Sequence, residues 1–168
     1  MTDTFWDWHN RPVQERVAAC EILQHAKFEV SNFASREDDP PDCEGQLDGL
    51  WSAIEVTRLN DEKTRKLSMK AAKANKPGFY FEWSRDDLLR KLQAQIDDKE
   101  DDVKRYSGGP YQRYVLVFHT DEVFLDRGTT ERFLKDATFR ARLFTDIVVG
   151  VSPDGEGYPT FRLQLQRG

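Results

Sequence analysis

The chain has 168 residues, 33% of them charged and 38% hydrophobic, with a net charge of −5 at pH 7. That length suits one domain and buries a sizeable core without disulfides or structural metals, so a single domain over residues 1–168 is expected. The two cysteines, Cys20 and Cys43, show no CxxC spacing, which excludes a zinc ribbon or disulfide framework and fits free thiols in a reducing cytoplasm.

Met1 to His9 has neither a basic nor an apolar region of the kind that opens a secretory leader. No apolar run approaches the roughly 20 residues of a membrane span, so no membrane partner is expected. Pro12 suits a first helical turn, and Val13, Val17, Cys20 and Gln24 repeat at helical spacing, predicting a helix to about Lys27. Residues 28–33 alternate loosely and predict a strand that runs into the acidic turn Glu37-Asp38-Asp39-Pro40-Pro41.

Residues 42–47 and 50–59 flank Asp48-Gly49, the dipeptide that favours a two-residue type I′ hairpin. With those two residues in the turn, Leu47 faces Leu50 and Asp42 faces Glu55. Glu44, Gln46, Ala53 and Thr57 share their face, while Cys43, Leu47, Ile54 and Val56 point into core.

From Arg58 to Lys76 seven basic residues stand against two acids, a segment that is either a helix or a mobile arm and is a candidate contact for nucleic acid. Ser84, with Asp87 three residues on, predicts a capped helix from residue 84 to about Tyr106. Residues 114–118 and 147–151 are apolar runs of strand length, residues 130–144 predict a further helix, and residues 161–165 an edge strand. The order of elements makes this an α/β fold with a mixed central sheet flanked by helices.

Two carboxylates facing each other across a ladder lie about 5 Å apart at Cβ and repel unless a cation or a shared proton sits between them. A hard divalent ion, Mg²⁺ or Mn²⁺, answers that need, with Asp42 and Glu55 as ligands and the Val56 carbonyl as a candidate third. The alternative is a solvated acid pair on an open hairpin face. Against it, Glu55 sits in Ala-Ile-Glu-Val-Thr, a strand-forming run in which acids are depleted. On the helix from Ser84 the apolar stripe is Leu88, Leu92, Ile96 and Val103, and Lys99 fills its one charged slot. Its ammonium either snorkels to water or reaches the acidic hairpin face.

Pro41-Asp42, twelve intervening residues and Glu55-Val56-Thr57 resemble the motif of the PD-(D/E)xK nuclease superfamily, which has the restriction-endonuclease-like fold; the resemblance spans roughly residues 11 to 120. It implies Asp42 and Glu55 as metal ligands and a lysine that activates water for phosphodiester cleavage. Thr57 stands where that lysine belongs. Some members place the lysine on the adjoining helix, a role that would fall to Lys99, and others add an acid from the first helix, here Glu15 or Glu21. The resemblance therefore implies either a metal-dependent nuclease acting on DNA or RNA, or a catalytically silent member that binds a protein partner. His119-Thr120-Asp121 at a strand end and the aromatic group Trp6, Trp8 and His9 are lesser candidates, each with a structural reading beside the functional one.

Overall fold

The structure, a computed structural model, describes residues 11–167; Trp6, Trp8 and His9 lie outside them. In chain order the elements are α1 (Arg11–His25), β1 (Val30–Ser35), β2 (Cys43–Leu47), β3 (Leu50–Arg58), α2 (Glu62–Lys73), α3 (Arg85–Val103), β4 (Arg113–His119), α4 (Arg127–Leu134), β5 (Thr138–Arg140), β6 (Asp146–Gly150), β7 (Thr160–Arg162) and β8 (Gln164–Gln166). Six strands form a mixed sheet in the order β1-β2-β3-β4-β6-β7, and β5 pairs with β8 in a separate ribbon. The β3–β4 and β4–β6 pairs are parallel; the outer pairs are antiparallel. Among the described residues no helix is long and apolar enough to cross a membrane.

The β2–β3 hairpin has the anticipated register, from Leu47 opposite Leu50 to Cys43 opposite Ile54. Asp48 and Gly49 both take positive φ, 52° and 78°, as a type I′ turn requires. Asp48 also accepts a bond from the Glu29 amide at 2.9 Å and pairs with Arg113. The alternative of a solvated acid pair on an open hairpin face fails at Glu55. Ser52 through Val56 are all buried, because β3 lies in the sheet interior with a helical layer on each side.

One layer is α1. Its Ala19, Ile22 and Leu23 meet Ile54, Val56, Val115, Val117 and Val148. The anticipated stripe on this helix was misplaced: Val13 and Val17 are 47% and 44% exposed, and Ala18, Ala19, Ile22, Leu23 and Ala26 form the buried face. Small residues there let the helix approach closely, and at Gly150 a Cβ would lie 2.5 Å from Ile22. The other layer is α3, where Leu88, Leu92 and Ile96 pack with Leu116, Phe118, Phe144, Ile147 and Val149. The apolar run in β4 thus serves two cores, odd positions toward α1 and even positions toward α3. Each fully buried aliphatic side chain of this set contributes roughly 1.5–3 kcal/mol.

Helix α3 opens with the capping box, Ser84 accepting from the Asp87 amide and Asp87 from the Ser84 amide. It ends at Val103, short of Tyr106. One turn beyond Ile96 the buried residue is Glu100, 1% exposed, and Lys99 lies at the edge of the stripe. The Glu100 carboxylate accepts from the amides of Arg142 (2.6 Å), Leu143 (2.7 Å) and Phe144 (3.4 Å) and from Arg142 Nε (3.0 Å). Burial alone would raise its pKa, but these donors hold it below the usual carboxylate range. They also pin the rotation of the helix turn that carries Lys99.

The basic segment is resolved as helix α2, with Asp61 as its N-cap. Two expectations fail near the C-terminus. The helix expected over residues 130–144 ends at Leu134; Asp136 takes a left-handed φ of 58°, and Thr138-Phe139-Arg140 leaves to pair with β8. The single strand expected over residues 161–165 is two, since Leu163 donates to the Ile147 carbonyl (2.9 Å) and β8 then departs for the ribbon.

Candidate metal centre

The hairpin ladder explains how the site forms. Position 41 would face Val56 in the next hydrogen-bonded pair, but Pro41 has no N–H to give the Val56 carbonyl. The Val56 amide instead donates to Asp42 Oδ2 at 2.7 Å. Where β2 pairing stops, a carboxylate is fixed in its place, and the carbonyl beside it lacks a β2 donor.

Glu55, 2% exposed, projects from β3 on the α3 side, and Lys99 Nζ lies 2.6 Å from its Oε1. Asp39 comes in from the acidic turn, and Asp39, Asp42 and Glu55 each offer an oxygen within 4.8 Å of the others. These side chains line a cleft of about 600 Å³ between the hairpin and α3, with Glu15, Arg36, Glu37, Val56, Asp102 and Arg105 also on its wall.

The cleft carries more acid than base. Arg36 is engaged by Glu44 (2.7 Å), Ser107 (2.8 Å) and Tyr111 (3.1 Å), and Arg105 pairs with Asp102. Lys99 remains as the cation facing the carboxylates. Burial works against its charge, but Glu55, Asp42 and Asp39 outweigh burial and hold its pKa above the ordinary lysine range. Burial, and then the Glu55 charge, push the Asp42 carboxyl up to about 7. Glu55 Oε2 is buried without a hydrogen-bond partner. The Tyr106 hydroxyl approaches Glu55 without completing a bond of normal geometry, and three mutually repelling carboxylates around this buried oxygen are a donor set that a divalent cation fits.

Comparisons with protein-family models, curated proteins and solved structures found no match.

Of the residues anticipated from sequence, Asp42, Glu55, Val56 and Lys99 meet in this cleft. Thr57 lies on the same sheet face as Glu55 but does not line it. Glu15 lines the cleft and Glu21 does not. Glu44 is turned away to Arg36 and to the Tyr111 hydroxyl (2.9 Å). His119 is buried at the end of β4, and Asp121 pairs with Arg58 at 2.7 Å.

Two residues were missed. Asp39 read as part of a turn, and its one signal was its place just before Pro40-Pro41-Asp42. Tyr106 follows α3 and stacks by Tyr114, ring centroids 6.0 Å apart. Burial, then the nearby Glu55 and Asp42 charges, push its phenol above the usual range, yet its hydroxyl completes no hydrogen bond of normal geometry.

The raised Asp42 sets a pH dependence. A carboxyl whose pKa is 3.8 unfolded and about 7 folded binds its proton more tightly in the native state. Its contribution is therefore full below about pH 4 and is lost as pH rises through 7, by up to about 4 kcal/mol. In chelator, thermal melts should show Tm falling between about pH 4 and 7. Asp42→Asn should flatten that fall, and an unchanged slope in the variant would exclude Asp42 as its source.

Proposed function

We propose that this chain is a metal-dependent phosphodiesterase of nuclease type, with a restriction-endonuclease-like fold, acting on DNA or RNA in a reducing cytoplasm. The observation that carries the reading is the Lys99 ammonium 2.6 Å from Glu55, in a cleft where Asp42 and Asp39 complete a three-carboxylate cluster. It supplies the cation missing at Thr57 from an adjoining helix, α3, as some members of the PD-(D/E)xK superfamily do. The order of helix, hairpin, helix and parallel strand supports the same reading.

Asp39, Asp42 and Glu55 would hold Mg²⁺ or Mn²⁺, with the Val56 carbonyl as a further candidate. When bound, such an ion polarises a phosphoryl oxygen and acidifies water. Lys99 keeps its proton, so it acts as a fixed positive charge that orients a phosphate oxygen and stabilises the charge growing on it. Glu100 holds the turn that carries Lys99, and the Asp42 bond to Val56 holds the opposite wall of the cleft. The α3 core behind Glu55 keeps water from that side.

A second reading draws on the same ion pair. Lys99 already neutralises Glu55, so a metal-free protein could be stable as a non-catalytic module for a protein partner, and Thr57 at the motif position favours that. The discriminating experiment is incubation with single- and double-stranded DNA and RNA in Mg²⁺ or Mn²⁺. Cleavage that EDTA abolishes supports the nuclease; intact substrates in every condition support the module.

A further inference from the structure

The cleft cannot by itself attract a polyanion. Its wall carries Glu15, Glu37, Asp39, Asp42, Glu55 and Asp102, and its three cations, Arg36, Lys99 and Arg105, are each already paired with an acid. A phosphodiester substrate needs a cationic surface elsewhere, and α2 supplies one.

The fold sorts the basic residues of this segment. Arg58 is held by Asp121 at 2.7 Å, and Arg65 turns its guanidinium to Met69 Sδ at 3.6 Å. On the helix itself Lys63, Lys66, Lys70 and Lys73 remain, all exposed, with Lys76 beyond its C-terminal end. Among the described residues none of the four takes part in an ion pair. Their spacing of three, four and three places them within a sector of about 80° and along about 15 Å of the helix axis.

The helix is anchored by its other sides. Ala71 is buried. Ser68 Oγ donates to the Phe79 carbonyl (2.7 Å) and accepts from the Phe79 amide (2.8 Å), and the Asp61 amide donates to Glu122 Oε1 (2.9 Å). The lysine row therefore has no packing role. Like charges at these spacings each destabilise a helix slightly, a cost that a line of phosphates would reverse.

We infer that the row Lys63, Lys66, Lys70 and Lys73 is a sequence-independent docking strip for the phosphodiester backbone of nucleic acid, separate from the carboxylate cleft. The choice of partner rests on the nuclease reading. Leu67 and Met69, each 42% exposed, flank the row, so a lipid surface is the competing partner that the test separates from nucleic acid.

The test is fluorescence anisotropy of the full chain with a labelled single strand and a labelled duplex, in EDTA, between about 50 and 200 mM KCl. Chelator makes the outcome independent of metal binding and cleavage, so failure here is distinct from failure of the nuclease. If four phosphates are neutralised, log K should fall against log salt with a slope of about −2.8 for the single strand or about −3.6 for the duplex. Lys66→Gln/Lys70→Gln should roughly halve that slope and weaken binding at least about tenfold at low salt, with Tm unchanged.

Absence of binding at the lowest salt would overturn the inference, as would equal affinity and slope in the double variant. Lysine-dependent binding to phosphatidylserine vesicles without binding to either oligonucleotide would overturn it too, in favour of a membrane surface.

Discussion

Lys99→Met should reduce metal-dependent phosphodiester cleavage by about 10²- to 10³-fold, which corresponds to roughly 3–4 kcal/mol of lost transition-state stabilisation. The ammonium is the cation of the cleft that faces the carboxylates, and the fields of Glu55, Asp42 and Asp39 keep it charged. Its charge is needed most as negative charge accumulates on the phosphoryl group, so kcat should fall more than KM rises. Stability responds separately. Without Lys99 the buried Glu55 loses its 2.6 Å counter-ion, and breaking such a pair costs about 3–5 kcal/mol when the remaining charge stays uncompensated. Metal-free Lys99→Met should therefore melt lower than wild type, and saturating Mg²⁺ should restore it, whereas Lys99→Arg keeps the charge and the metal-free Tm. Thr57→Lys in the Lys99→Met background should recover part of the rate, because position 57 shares Glu55's face of β3. Cleavage by Lys99→Met at the wild-type rate would leave the enzyme reading without its cation.

The second large effect is on the melting temperature. A ligand that binds only the folded state stabilises it by about 2.7 kcal/mol at a hundred times its Kd, which for a chain of this size is roughly 5–11 °C. Mn²⁺ at that excess should raise the Tm of wild type by this amount. Glu55→Ala removes the central carboxylate and should abolish the shift, while Glu44→Ala, whose carboxylate is bound to Arg36 and Tyr111, should keep it. Equal shifts in wild type and Glu55→Ala would show that the cluster holds no ion. Proton release should accompany binding near neutral pH, since the ion takes the charged form of Asp42.

What was legible beforehand follows the range of the forces involved. The hairpin and its register are local: a two-residue turn with both φ positive leaves one pairing, and that pairing alone puts Asp42 beside Glu55. The capping box of α3 and the two-sided burial of β4 are local too. Lys99 could be read from helical spacing, though the stripe was drawn one residue off, because Glu100 is the buried member. Its burial is decided by the three amides of residues 142–144, which no sequence window contains. The same limit explains Asp39, brought to the cleft by the path of its loop, and Tyr106, brought near Glu55 by the chain beyond α3. It also explains Val13 and Val17, apolar residues at helical spacing that face away from the core. The helix expected over residues 130–144 failed because Thr138 and Phe139 pair with a ribbon strand about 25 residues downstream.

The most direct measurement is single-turnover cleavage of labelled DNA and RNA by wild type and Asp42→Ala, each with Mg²⁺, with Mn²⁺ and with EDTA. Asp42 contacts the hairpin through one hydrogen bond to Val56 and belongs to the carboxylate cluster, so its removal should leave a folded protein without a functional metal centre. Cleavage by wild type in Mg²⁺ or Mn²⁺, lost in EDTA and lost in Asp42→Ala, is the expected result. Metal-dependent cleavage that persists at the wild-type rate in Asp42→Ala, or no cleavage by wild type under any of these conditions, would contradict it.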